Sequence, residues 1–292
     1  MEISMRWAPP DSRSRHAIRD HIEANLDPVA DHQEICFLSS CYDFPWDTTR
    51  SLELALLRVF GVASSSALLV QTGELLERTQ KRYDDTVLIL SEILENGYDS
   101  ERGRAALRRM NRQHRRYTIP NDEYVYTLST FVFEPIRWNE RFGWRKLLEK
   151  EKLAGFHCWQ QIGALMGIKD IPPSYEALER YNVAYEAEHF RFSEDNRKLA
   201  VTTRDLLLSW VLPRPLRPLG ARVVHALLDD RMRDALGLPR PSPAEVRLVE
   251  AALRARGLFM RVLPRRGAPR LITKQKHRAY PDGYRIEDLG AH

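Results

Sequence analysis

The sequence lacks a long uninterrupted apolar run. No stretch of its 292 residues approaches the roughly 20 apolar residues that a membrane-spanning helix needs. The first residues, Met1 to Trp7, also lack the apolar segment of a secretory signal. Hydrophobic residues make up 43% and charged residues 29% of the chain, which is enough to bury a substantial core. These features predict a cytoplasmic protein without a transmembrane segment.

Cysteine and an excess of one charge are both scarce. The three cysteines (Cys36, Cys41 and Cys158) cannot all pair, and their spacing matches no zinc or redox motif, so we expect reduced thiols. The net charge of +5 is a small excess for this length and does not indicate nucleic-acid binding. The stretch from Arg261 to Arg285 is basic but lacks the interleaved aromatic residues of a single-strand binder. Its Lys and Arg residues leave peripheral membrane contact open.

Common catalytic motifs are also missing. The chain contains no zinc-protease helix motif, no hydrolase nucleophile elbow, no phosphate-binding loop and no dinucleotide-binding turn. Glu186 and His189 have the Glu-x-x-His spacing of di-iron helical bundles, but such a site uses two of these motifs and two further glutamates. None of the other eight histidines has Glu three residues earlier. A non-haem di-iron enzyme therefore remains only an alternative.

Helical periodicity dominates the sequence and predicts an all-α protein. The predicted helices span Asp11 to Ala30, Arg50 to Gly61, Gly73 to Asn96, Ser100 to Tyr117, Tyr124 to Phe133, Lys146 to Met166, Ser174 to His189, Glu194 to Trp210, Ala221 to Leu236, and a last one from Ser242. We expect residues 1–210 to form the core of one large helical domain that carries the functional site. Residues 211–257 would add C-terminal helices to it, and residues 258–292 would form a basic, loosely ordered tail.

Two helical segments carry the candidate chemistry. Arg82 and Thr86 lie four residues apart and therefore share one helix face. His114 lies on an apolar stripe of the next helix, flanked by arginines that include Arg115. A dry helix face favours the neutral imidazole that can ligate iron, while arginines pair with anionic haem propionates. This combination is typical of a haem pocket.

Each of these residues also has an ordinary structural interpretation. Arg82 could pair with Asp84 or Asp85, and the arginines around His114 could form a solvated face. A site is favoured because a helical hairpin with its turn at Asn96 to Ser100 would bring Arg82, Thr86 and His114 to opposite sides of one cavity.

Motifs spread from about His21 to Asn196 resemble the DUF2236 family of MpaB-like and latex-clearing rubber oxygenases. They include Phe44-Pro45-Trp46, Gly61-Val62-Ala63-Ser64, Thr72-Gly73, Lys81-Arg82-Tyr83-Asp84-Asp85-Thr86, Met110-Asn111-Arg112-Gln113-His114, Asn121-Asp122-Glu123-Tyr124, Glu134-Pro135-Ile136-Arg137-Trp138, Gly143-Trp144-Arg145 and Met166-Gly167-Ile168. The resemblance implies a globin-like helical domain that binds haem b and activates O2.

The resemblance places His114 at the position of the family's haem-ligating histidine. It places Arg82 and Thr86 at the positions of an Arg-x-x-x-Thr pair beside the haem. The implied activity is oxidative cleavage of a carbon-carbon double bond in a lipophilic, isoprenoid-like substrate. Where rubber oxygenases carry an acidic residue proposed as a base, this chain has Ser64-Ser65-Ser66, and Asp85 replaces a lysine. A haem-binding helical protein without catalytic activity is a second alternative.

Overall fold

The computed structural model describes residues 6–291, and this part of the chain is an all-α single domain with no β-strand. The predicted fold class is confirmed. The α-helices are α1 (Ala17–Asn25), α2 (His32–Phe37), α3 (Pro45–Val59), α4 (Ala63–Gln71), α5 (Glu74–Glu77), α6 (Thr79–Asn96), α7 (Glu101–His114), α8 (Asn121–Phe142), α9 (Glu149–Met166), α10 (Tyr175–His189), α11 (Glu194–Val211), α12 (Arg217–Leu227), α13 (Asp230–Leu236) and α14 (Pro243–Arg261). No helix of the described chain is long and apolar enough to cross a membrane.

Helix ends follow the local signals of the sequence. The Ser100 hydroxyl accepts a hydrogen bond from the Gly103 N–H at 2.9 Å and caps α7. Ser242 and Glu245 form the capping box that opens α14. Gly97 ends α6 with φ of +86°, a conformation that favours glycine. These three boundaries confirm the sequence predictions.

Other boundaries differ from the prediction. α8 continues to Phe142 through Pro135, and the carbonyl oxygen of Pro135 accepts a hydrogen bond from the Asn139 side chain at 2.8 Å. The helix predicted from Gly73 is two helices, because the chain leaves helical geometry at Arg78. The helix predicted from Ala221 to Leu236 is also two, and Asp229 caps the second.

The central core lies among α6, α7, α8 and α9. Its buried members include Leu88, Ile93, Val132 and Ile162, each at most 3% exposed. α8 is the central helix, since it packs against α3 on one side and α9 on the other. The helical hairpin formed by α6 and α7 is thereby fixed against the rest of the domain.

Arg58 joins four parts of the chain through one buried ion cluster. Its guanidinium donates to Glu134 on α8 at 2.7 Å, to Glu186 on α10 at 3.0 Å and to Asp229 before α13 at 2.6 Å. Removing one partner of such a cluster leaves an uncompensated buried charge, which is strongly destabilising. The cluster therefore fixes α3, α8, α10 and the start of α13 in one arrangement.

The prediction of a loosely ordered tail is wrong for the segment that follows α14. Ile286 and Leu289 are buried in the central core. The backbone N–H of Ala279 donates to Asp84 at 2.8 Å, and the Tyr284 hydroxyl donates to Glu92 at 2.6 Å. The segment has little helical periodicity because single apolar residues and hydrogen bonds to α6 hold it, rather than an amphipathic helix.

Replacement of Leu289 by Ala tests this packing. Leu289 is fully buried, so Leu289→Ala should lower the free energy of unfolding by about 2–5 kcal/mol. Leu248→Ala is the matched control, because Leu248 is 71% exposed and should change stability by less than about 0.5 kcal/mol. Equilibrium denaturant unfolding measures both values. Equal, small effects would mean that the C-terminal segment does not belong to the core.

Candidate active site

An apolar cavity of about 270 Å³ lies between α6, α7, α8 and their neighbours. His114, Arg82 and Thr86 all line it. Most of the remaining lining is aliphatic or aromatic, with Ile89, Leu128, Phe131, Trp159 and Met166 among its members. The structure thus brings together the three residues that sequence spacing and the α6–α7 hairpin predicted to meet.

His114 is the last residue of α7, and its ring edge packs on Tyr124 with centroids 5.5 Å apart. Its Nδ1 atom is buried and has no hydrogen-bond partner in the described chain. Burial, assisted by the positive charge of Arg82, lowers the pKa of His114 to about 4. At neutral pH the imidazole is therefore uncharged and has a free lone pair, which is the state that a metal ligand requires.

Arg82 and Thr86 are coupled by two hydrogen bonds. The guanidinium of Arg82 donates to the Thr86 hydroxyl, which in turn donates to the Arg82 carbonyl oxygen at 2.8 Å. Burial lowers the pKa of Arg82, but a guanidinium remains charged at neutral pH. No carboxylate forms an ion pair with Arg82 in residues 6–291, so the cavity contains a cation without a salt-bridge partner.

The nearby aspartates do not neutralise Arg82 because they face the C-terminal segment. Asp85 binds Lys81 at 2.9 Å and accepts a hydrogen bond from the Tyr280 hydroxyl. Asp84 accepts the Ala279 N–H and a hydrogen bond from the Gln80 side chain. The interpretation of Arg82 as a partner of Asp84 or Asp85 is therefore wrong.

Arg115 was a further predicted contact for the cofactor, but the structure does not bring it to the cavity. Its side chain is exposed just after the end of α7 and is absent from the cavity lining. Its backbone is still near helical geometry, and its N–H donates to the Asn111 carbonyl oxygen, so its side chain is turned by about 100° around the helix axis from that of His114. Arg115 therefore lies outside the group formed by Arg82, Thr86 and His114.

The cavity also contains a carboxylate that sequence analysis did not select. Glu123 lies in the first turn of α8, is 6% exposed, and accepts a hydrogen bond from the Ser65 hydroxyl of α4. Glu123 has no ion-pair partner among residues 6–291. Ser65 belongs to the run Ser64-Ser65-Ser66 on α4. No sequence spacing links Ser65 to Glu123, because the two residues come from different helices.

A second cavity of about 110 Å³ adjoins the first. The two share the lining residues Leu56, Tyr83, Thr86, Leu90 and Phe131. Glu53 lines the second cavity, where burial raises its pKa to about 7 and where it accepts a hydrogen bond from the Tyr83 hydroxyl at 2.9 Å. A few side chains therefore separate two apolar compartments.

The di-iron alternative lacks its ligand set in this structure. Glu186 is occupied by Arg58 and by the Tyr126 hydroxyl at 3.2 Å, whereas the ring of His189 stacks on Tyr185. Within residues 6–291, no group of three or more His, Cys, Asp or Glu residues is arranged to hold a metal ion. The Glu-x-x-His spacing is thus explained by the Arg58 cluster and by aromatic stacking.

The residues of the first cavity fit haem. An uncharged, unpartnered imidazole suits an axial ligand, and an unpaired guanidinium suits a propionate. The apolar side chains of the lining suit a porphyrin ring and a lipophilic molecule beside it.

Comparisons with known proteins identify the family of this chain. Residues 52–262 match the profile of the family described as ER-bound oxygenase mpaB/B'/Rubber oxygenase, catalytic domain. The chain is 31% identical over 239 residues to ER-bound oxygenase mpaB' of Penicillium brevicompactum, covering 76% of this chain and 56% of that protein. It is 29% identical over 212 residues to ER-bound oxygenase mpaB of Penicillium roqueforti (strain FM164), covering 66% of this chain and 71% of that protein. The chain thus spans little more than half of the first relative, and it belongs to the mpaB and rubber oxygenase catalytic-domain family.

Proposed function

We propose that this protein is a haem b-dependent oxygenase that cleaves a carbon-carbon double bond in a lipophilic, isoprenoid-like substrate. The observation that carries the proposal is the meeting of His114 and Arg82 in one apolar cavity. The imidazole is uncharged and unpartnered, and the guanidinium is charged and forms no ion pair among residues 6–291. Membership of an oxygenase family supports the reaction class. The location in the names of the fungal relatives belongs to those proteins.

In this proposal three residues of the cavity hold the cofactor, each at a different point. His114 would bind the iron, Arg82 would pair with a propionate, and Thr86 would hold the Arg82 side chain in place through their hydrogen bond. When bound, haem b would supply the capacity to bind and activate O2. The aliphatic and aromatic walls would hold an alkene and keep water away from it.

Glu123 is proposed as the group that accepts a proton inside the cavity. A buried carboxylate in an apolar site is a competent base when a hydrogen bond fixes its orientation, and Ser65 provides that bond. Glu123 thus places a carboxylate in this cavity from α8, whereas the serine run on α4 supplies only the hydrogen-bond donor.

The proposed function is tested by an absorption spectrum and by O2 consumption. Protein produced with haem precursor should show a Soret band, and the loaded protein should consume O2 and form carbonyl products from a short isoprenoid alkene. Haem binding without O2 uptake in the presence of such alkenes would favour the alternative of a haem-binding protein without catalytic activity. Iron without porphyrin would contradict the proposal. A cytoplasmic location stays a prediction, because the fungal relatives are named ER-bound.

The first variant to examine is His114→Ala. It should lose the Soret band while keeping its helical circular dichroism, because the contacts of Met110 and the rest of α7 survive. His189→Ala is the matched control, since this histidine lies outside the cavity, and it should keep full haem content. Full haem occupancy in His114→Ala would show that His114 is not the iron ligand.

The charge of Arg82 gives a prediction about pH. Because burial and Arg82 both lower the pKa of His114 to about 4, Arg82→Gln should raise that pKa part of the way toward its ordinary value of about 6.5. Haem retention by the variant should then decline at a higher pH than in the wild type as acid is added, because protonated His114 cannot ligate iron. NMR titration of the imidazole nitrogens measures the pKa directly. Arg115→Gln is the control and should change neither property.

Removal of the proton acceptor should affect turnover rather than haem binding. Glu123→Gln keeps the size of the side chain but cannot accept a proton, so turnover should fall on the order of 10²-fold. Glu74→Gln is the control, because Glu74 also lines the cavity but is paired with Arg78. Turnover of Glu123→Gln at the wild-type rate, with haem content unchanged, would refute a role for Glu123 in proton transfer.

A further inference from the structure

The outward face of α14 carries a continuous apolar stripe. Its large members are each 60% to 78% exposed: Leu248, Leu258 and Phe259 on α14, and Val262 directly after it. With Ala251 and Ala255 between them, they follow the three- and four-residue spacing of one helix face. Both alanines are also exposed. Isolated exposed apolar residues are ordinary, but a stripe along a whole helix marks an interaction surface.

The opposite face of α14 fixes the helix to the domain. Arg256 donates to Asp47 at 2.9 Å, and Arg261 donates to the carbonyl oxygen of Trp144 at 2.7 Å. Gly257 approaches the backbone so closely that an added Cβ would lie 2.9 Å from the Phe142 carbonyl oxygen. The apolar stripe is therefore held outward by a rigid attachment.

Arginines border the stripe. Arg247 and Arg254 lie seven residues apart, and both are exposed. The two glutamates of α14 are shared with arginines of other helices, since Glu245 binds Arg222, and Glu250 binds Arg141 at 3.1 Å as well as Arg254 at 3.0 Å. Arg247 forms no ion pair among residues 6–291. The edge of the stripe thus has an excess of positive charge.

The neighbouring helix α12 also combines exposed apolar side chains with nearby arginines. It packs against α14 and exposes Leu219 and Val223. A cleft of about 620 Å³ beside it is lined by Arg204, Arg214, Arg217, Arg222 and Arg240, with Asp205 as the acidic residue of the lining. Arg214 and Arg217 form no ion pair among residues 6–291. Exposed apolar residues on two packed helices therefore accompany guanidinium groups that are available to anions.

We propose that α14, together with α12, docks this protein onto an anionic lipid bilayer. Apolar side chains on a helix lying in the membrane plane enter the boundary of the acyl chains, and arginines at the edge extend toward lipid phosphates. The positive edge selects an anionic headgroup layer over a neutral one. A shallow stripe of separated side chains fits the acyl boundary of a bilayer, and the arginines match the charge of its surface.

Vesicle sedimentation tests this docking with the full chain. The wild type should sediment with phosphatidylcholine vesicles that contain phosphatidylserine, less with phosphatidylcholine alone, and less at high salt. Leu258→Glu/Phe259→Glu should reduce sedimentation by about tenfold or more, since two charges would enter the acyl boundary. Val183→Glu is the matched control at an exposed valine of α10 and should bind like the wild type.

The charged edge needs its own variant. Arg247→Ala/Arg254→Ala should weaken binding to phosphatidylserine vesicles and leave the weak binding to neutral vesicles unchanged. Far-ultraviolet circular dichroism and melting temperature establish that each variant is folded. Failure of the wild type to bind either vesicle would overturn the proposal. So would a wild-type dimer that Leu258→Glu/Phe259→Glu converts to monomer, because the stripe would then be covered by a second copy of the chain.

Discussion

The site depends on keeping the guanidinium of Arg82 in an apolar cavity without an ion pair. Arg82 and Thr86 both line the cavity, whereas Asp84 and Asp85 accept hydrogen bonds from the C-terminal segment. Asp85 follows Arg82 by three residues, a spacing at which side chains on a helix can pair. Because Lys81 and the Tyr280 hydroxyl bind Asp85, the C-terminal segment helps to keep this carboxylate separate from Arg82.

The same separation explains the state of His114. A carboxylate beside the imidazole would favour its protonated form, whereas burial and an unpaired Arg82 favour the neutral form. The desolvation of His114 in turn requires a packed apolar surround, which the central core of α6 to α9 provides. The chemistry of the imidazole is thus a property of the whole helical arrangement and not of α7 alone.

The parts of this arrangement that could be predicted from sequence are local. Serine caps, the glycine after α6 and the spacing of Arg82 and Thr86 act over a few residues, so they identify helices and helix faces directly. The pairing of Ser65 with Glu123 joins residues 58 positions apart, and the contact of Ala279 with Asp84 joins residues 195 apart. Hydrophobic periodicity does not indicate contacts between residues so far apart. Neither the place of Glu123 in the cavity nor the packing of the C-terminal segment could therefore be predicted from it. The prediction for Arg115 failed for a different reason, since a residue adjacent to His114 on a helix points about 100° away from it around the axis.

The C-terminal segment also limits what can be transferred from relatives. Gly290 and Ala291 line the cavity, and the Gln113 side chain donates to the Ala291 carbonyl oxygen at 3.0 Å, which attaches this wall to the last turn of α7. The match to the family ends at residue 262, so it includes Arg82, Thr86 and His114 but not this wall. Residues shared with the family thus account for the side of the cavity that would hold a cofactor. The shape of the remaining space, which decides what lies beside that cofactor, depends in part on residues outside the match.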